Sequence, residues 1–98
     1  MAIGVQLRDE HGRPIEVLAV DQFALENTLP VFDNEAYPYL RLIDPYGDTT
    51  FGRYQMAAVL PELERRLAEV PSKELEQVIG LAQTCAANPH TYLVFVGD

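Results

Sequence analysis

The chain has no tryptophan and a single cysteine, Cys85, so no internal disulfide can close. A small domain without staples must rest on its core, and a lone thiol points to a reducing compartment. No stretch approaches the roughly 18 apolar residues that a membrane-spanning helix needs. The opening residues, MAIGVQLRDE, carry neither the basic start nor the apolar run of a signal peptide. The expectation is a cytoplasmic protein. Basic residues are also scarce: seven Lys and Arg against fifteen Asp and Glu give a formal net charge of −8. That sign repels phosphate at long range, so neither nucleic acid nor an anionic membrane is an expected partner, whereas a basic protein is steered in. The glycine patterns of phosphate and dinucleotide loops are missing. His11 and His90 each lack a second ligand three or four residues away. No cofactor or metal is expected.

What is present suffices for one globular domain over residues 1–98. A hydrophobic share of 48%, with five tyrosines and four phenylalanines, excludes disorder. Ile3, Val5 and Leu7 alternate with Gly4, Gln6 and Arg8, the period of a half-buried strand. Residues 9–13 read as a turn and 14–20 as the returning strand, with Pro14 at its start. Asp21 can cap a short helix bearing Phe23, Leu25 and Leu29, ended by Pro30. Residues 31–38 form a loop with an acidic tip at Asp33 and Glu35, and residues 39–43 (YLRLI) read as a third strand.

From Met56 the apolar positions 56, 59, 60, 63, 67 and 70 make a helical stripe that keeps phase across Pro61, predicting one kinked helix. Glu62 and Arg66 read as an exposed i,i+4 pair. Ser72 caps a second helix carrying Leu75, Val78, Ile79, Ala82, Cys85 and Ala86, stopped by Asn88 and Pro89. The β-prone run at 91–96 (TYLVFV) suggests a central strand. The predicted fold is α+β: a single two-layer domain of about four strands, namely an N-terminal hairpin, a third strand and a C-terminal strand, with a helical hairpin packed on one face.

DPYGDTTFGRYQ, residues 44–55, concentrates the chemistry. Asp44, Pro45, Tyr46 and Gly47 fit a type I turn position by position. Gly52 fits a helix N-cap with Gln55 at the third helical position, Phe51 and Met56 a hydrophobic staple across it, and Asp48 and Thr49 acceptors near the helix start. Arg53, a cation in a first helical turn, is expected to pair with Asp48 or Asp44. A calcium loop fails at its third, sixth and twelfth places, occupied by Tyr46, Thr49 and Gln55. Cys85 with His90 could form a nucleophile and base, but Cys85 lies on an apolar stripe and reads as buried and inert. No catalytic residue is assigned.

Tyr37, Tyr39, Tyr46 and Tyr54 cluster around the predicted third strand and the next helix start. Tyrosine is enriched at interfaces, and acidic neighbours suit a basic partner. The expected partner-binding surface is therefore Asp33, Glu35, Tyr37, Tyr39, Asp44, Tyr46, Asp48, Arg53 and Tyr54. It suggests a non-enzymatic protein-interaction module, one form being an immunity-type inhibitor of a basic toxin. The alternatives are a small-molecule binder or enzyme with a pocket at the 44–54 strand–helix corner lined by Asp44, Asp48, Arg53 and Tyr54, and a homo-oligomer joined at a sheet edge.

The segment YPYLRLIDPYGDTTFGRYQ, followed by a helical hairpin and a C-terminal YLVFVGD, resembles a group of short bacterial proteins of unknown function. The resemblance implies a bacterial origin and a stand-alone domain, and carries no catalytic residues with it.

Overall fold

Alternation decides the first strand. In the computed structural model, which describes residues 2–30 and 35–97, β1 spans Ile3–Asp9, with Ile3, Val5 and Leu7 buried and the intervening residues on the opposite face. Asp9 then organises the turn. Its Oδ1 accepts from the backbone N–H of His11 (2.8 Å) and Arg13 (2.9 Å), and Gly12 supplies a φ of 78°. The Arg13 bond foremost holds the Asp9 carboxyl below its ordinary pKa. The chain returns as β2, Pro14–Val17, with a register irregularity between Leu7 and Arg8. Asp21 caps α1, Gln22–Thr28, by accepting from Phe23 and Ala24. Leu25 and Leu29 enter the core, and Phe23 stays exposed.

The third strand is displaced from its expected place. Residues 39–43 are not a strand: Leu40–Leu42 forms a 3₁₀ turn, and β3 is Asp48–Gly52. Leu40 and Ile43 are buried, three residues apart, and Leu42 is exposed, which is turn spacing and not alternation. The amides at the start of this turn are taken by Glu62. Its Oε1 accepts from Tyr39 (3.1 Å) and Leu40 (3.0 Å), and its Oε2 lies 3.2 Å from the Tyr39 nitrogen. With those donors engaged by a carboxylate, they are not available to a ladder.

Glu62 belongs to α2, Met56–Glu69, which is entered through a 3₁₀ turn at Arg53–Gln55 and continues unbroken through Pro61. Met56, Val59 and Leu63 are buried as the stripe predicts, but Glu62 is buried with them, only 7% exposed. The expected surface pair with Arg66 is replaced. Arg66 instead donates its Nε to the Thr28 carbonyl at 2.7 Å. Ser72 caps α3, Lys73–Ala87, accepting from the Leu75 N–H at 3.2 Å. Leu75, Val78, Ile79, Leu81, Ala82 and Cys85 are buried along it.

β4, Thr91–Gly97, is central. The sheet order is β2-β1-β4-β3, antiparallel throughout, with Val5 opposite Phe95 and Phe51 opposite Leu93. Ile3, Val5, Leu7, Leu93, Phe95 and Phe51 share one core with the apolar stripes of all three helices, and the rings of Phe51 and Phe95 meet edge to face at 5.9 Å. The predicted α+β fold of four strands under a helical hairpin is the fold observed.

Among the described residues the other sheet face carries no helical layer. Val17, Gln6, Val94 and Thr50 form one row across it. Val94 is 1% exposed yet stands apart from the main core. Arg8 covers it from β1: its Nε donates to Gln6 Oε1 (2.9 Å), and its Nη1 lies 3.6 Å from Asp48 Oδ2 on β3. The register sets Arg8 beside Tyr92 and Asp48 beside Val96, so the arginine stem crosses above Val94.

Candidate functional site

Residues 44–47 fold as their side chains dictate. Asp44 Oδ1 accepts from the Tyr46 N–H (2.8 Å), and the Gly47 N–H closes the turn on the Asp44 carbonyl (3.3 Å). Thr49 Oγ1 accepts from the Asp44 N–H at 2.9 Å, so Thr49 serves the turn and not the helix start. The turn then lies flat on the end of β4. Gly97 donates to the Gly47 carbonyl at 2.8 Å, and a Cβ at Gly97 would come within 2.4 Å of the Asp44 carbonyl oxygen. Tyr46 projects from it, 68% exposed.

At the far end of β3, Gln55 Oε1 accepts from the Gly52 N–H at 2.7 Å, the expected cap bond, and Phe51 and Met56 are both buried. Arg53 does not pair with Asp48 or Asp44. Its Nε donates to the Ala86 carbonyl at 3.2 Å, in the last turn of α3, where unpaired carbonyls and the helix dipole favour a cation. The unfavourable first-turn position is thus compensated by a neighbouring helix end. The guanidinium also lies 5.5 Å from the centre of the Tyr54 ring, which is 88% exposed.

A cleft of about 410 Å³ opens here, lined by Gly52, Arg53, Tyr54, Gln55, Pro89, His90, Thr91 and Tyr92. His90 adopts a φ of 59°, the left-handed region, and its Nδ1 sits 3.3 Å from Glu10 Oε2. The expected corner pocket is corrected by this geometry. β3 is five residues long, about 16 Å at the usual rise, and it separates Asp44 and Asp48 from Arg53 and Tyr54. The cleft takes Arg53 and Tyr54 but neither aspartate.

The remaining expected residues are dispersed. Tyr37 is 2% exposed, with the Arg65 and Arg66 guanidinium groups 4.5 and 5.8 Å from its ring centre. Arg65 also donates to the Ala36 carbonyl. The Tyr37 hydroxyl is buried with no hydrogen-bond partner among the described residues. Tyr39 is half-buried, its N–H held by Glu62, and Glu35 is exposed. Asp33 lies outside the described residues. The structure therefore gathers Asp44, Tyr46 and Asp48 at one end of β3 and Arg53 and Tyr54 at the other.

Cys85 is buried, its Sγ 3.6 Å from the Thr91 carbonyl, and burial pushes its pKa up. His90 is exposed and directed to Glu10, so the two do not form a nucleophile and base. Glu62 escaped sequence reasoning because a glutamate in an amphipathic helix carries no sign of which distant amide it will meet. Among the described residues no group of three His, Cys, Asp or Glu could hold a metal ion, and no helix is long and apolar enough to cross a membrane. No family model, curated protein or solved structure matches the chain.

Proposed function

We propose that the protein is a non-enzymatic interaction module for a basic protein, which docks on the helix-free sheet face and the adjoining Asp44 turn. An immunity-type inhibitor of a basic toxin is one concrete form. The supporting observation is the composition of that face. Val17 is exposed on its outer edge, Tyr92 and Val96 are half-buried on β4, Arg8 crosses its middle with its charge met by Asp48, and Asp9, Glu10 and Asp44 border it. Apolar and aromatic area within an acidic border suits a basic partner, and a net charge of −8 speeds its capture. The test is affinity capture from source-cell lysate with wild type, Val17→Asp and an Asp44→Lys, Asp48→Lys double variant. A basic protein should be held by wild type, weaken with added salt and be lost from both variants. Capture of nothing, or equal capture by all, refutes the proposal.

A second reading, a small-molecule binder or enzyme, draws on the cleft beside Arg53, Tyr54, His90 and Tyr92, whose volume of about 410 Å³ falls within the usual ligand range. A ligand-observed NMR screen with wild type and Tyr54→Ala tests it. Hits unaffected by the substitution, or no hits, remove this reading.

A further inference from the structure

β3 ends the sheet, and the two edges are not alike. The β2 edge begins with a proline and carries a register irregularity, both features that discourage further pairing. β3, with the sequence DTTFG, has neither. Two hydrogen bonds fix the direction of its backbone groups. Gly97 donates to the Gly47 carbonyl, so Gly47 faces β4, while the Gly52 N–H turns away from β4 to Gln55. Alternation then aims the N–H and C=O of Asp48, Thr50 and Gly52 outward.

We propose that β3 pairs antiparallel with β3 of a second copy of this chain, about a two-fold axis at Thr50. Thr50 is the middle of the strand, so this register overlaps its whole length. Each Thr50 N–H donates to the partner's Thr50 carbonyl, and each Asp48 N–H to the partner's Gly52 carbonyl. The Gly52 N–H, already closed by Gln55, stays out of the new ladder.

Charge and shape select the same arrangement. The strand carries Asp44, Tyr46 and Asp48 at its start and Arg53 and Tyr54 at its end. Antiparallel pairing sets the acidic Asp48 end of each strand alongside the partner's Arg53 end, and Tyr46, an exposed ring, level with the partner's Tyr54. The two Asp48 residues are then about 13 Å apart along the strand direction. A parallel pairing would instead set like charge on like charge. The surface split along β3 within one chain becomes self-complementary between two, as a two-fold contact requires. Both helical layers fall on one side, and the two helix-free faces join. An edge this short buries less than a standard interface, so the dimer exchanges with monomer.

The test uses the purified chain alone, at physiological salt to screen the −8 on each copy, so its failure leaves the basic-partner proposal standing. Light scattering across a concentration series to the millimolar range should show monomer passing to dimer, with Thr50→Lys holding the monomer mass. Cysteine variants test the register without relying on that substitution. In a hydrogen-bonded antiparallel pair the Cα atoms lie about 5.5 Å apart, within disulfide reach. Thr50→Cys should therefore oxidise to a covalent dimer many-fold faster than Asp48→Cys, while wild type, whose only cysteine is buried, does not cross-link. A monomer at every concentration, or equal cross-linking of the two variants, overturns the proposal.

Discussion

Glu62→Ala tests whether a buried carboxylate, and not local propensity, fixes the segment after Tyr37. The side chain holds the N–H groups of Tyr39 and Leu40 at 3.0 to 3.2 Å, and the Leu40 bond is buried. A hydrogen bond to a charged acceptor contributes about 1.5–3 kcal/mol. The cost of burying the carboxylate offsets part of two such bonds. We therefore expect a net loss of about 2–3 kcal/mol, the orphaned amides making most of it. In a domain this small each kcal/mol moves the Tm by about 4–8 °C, so the shift should be roughly 10–20 °C. Glu62→Gln keeps one acceptor oxygen and should lose about half as much. Glu64→Ala, at an exposed position of the same helix, should stay within about 0.5 kcal/mol of wild type. Urea unfolding followed by circular dichroism gives these differences, and hydrogen exchange should show the Tyr39 and Leu40 amides losing protection first. The reasoning is refuted if Glu62→Ala melts with Glu64→Ala.

Gly97→Ala should prevent or severely weaken folding, because the new methyl meets the Asp44 carbonyl oxygen at 2.4 Å and the Gly47 nitrogen at 2.7 Å, both backbone atoms; a wild-type melt would mean the turn does not rest on β4. Phe95→Ala removes a fully buried ring from the central core and should cost about 3–5 kcal/mol in denaturant unfolding. Val94→Ala removes two methyl groups beneath the Arg8 stem and should cost only roughly 1.5 kcal/mol, so equal losses would contradict the separation of the two faces. Asp44→Ala deletes the acceptor for the Tyr46 N–H and should melt lower than Asp48→Asn, which weakens one partly exposed pair with Arg8 by less than about 1 kcal/mol. A calcium-dependent rise in wild-type Tm that vanishes in both aspartate variants would show a ligand site in place of a turn.

Much of the architecture could be read from local pattern. The hairpin followed from alternation at Ile3, Val5 and Leu7, the helices from Asp21 and Ser72 caps ahead of apolar stripes, and the central strand from an apolar run at 91–96. The failures share one cause. YLRLI has stronger strand propensity than DTTFG, yet the latter enters the sheet, because Glu62, remote in sequence, engages the amides of the former. Proximity in the sequence pairs Arg53 with the nearest aspartates, whereas its partner is a backbone carbonyl in α3, and a carbonyl has no letter in the sequence. Tyr37, a surface residue by its loop and its composition, lies buried against two arginines for the same reason: packing across elements decides exposure. The turn at residues 44–47 was legible because its bonds join residues at most a few positions apart.

The place of β4 between β1 and β3 also governs the order of events in folding. Ile3 pairs with Gly97 and Asp9 with Thr91, so the longest ladder joins segments at nearly opposite ends of the sequence. β3 is joined to the sheet only through β4. Until residues 91–97 arrive, the N-terminal hairpin has an open flank and β3 has no neighbour to pair with. The helical hairpin, built from local contacts, can form first and offer an apolar template. Such a topology has high contact order, and refolding in the millisecond-to-second range is expected. A stopped-flow refolding phase complete within microseconds would contradict it. During synthesis the sheet can close only after β4 has left the ribosome, so the edge of β1 that β4 later occupies stays open until residues 91–97 emerge.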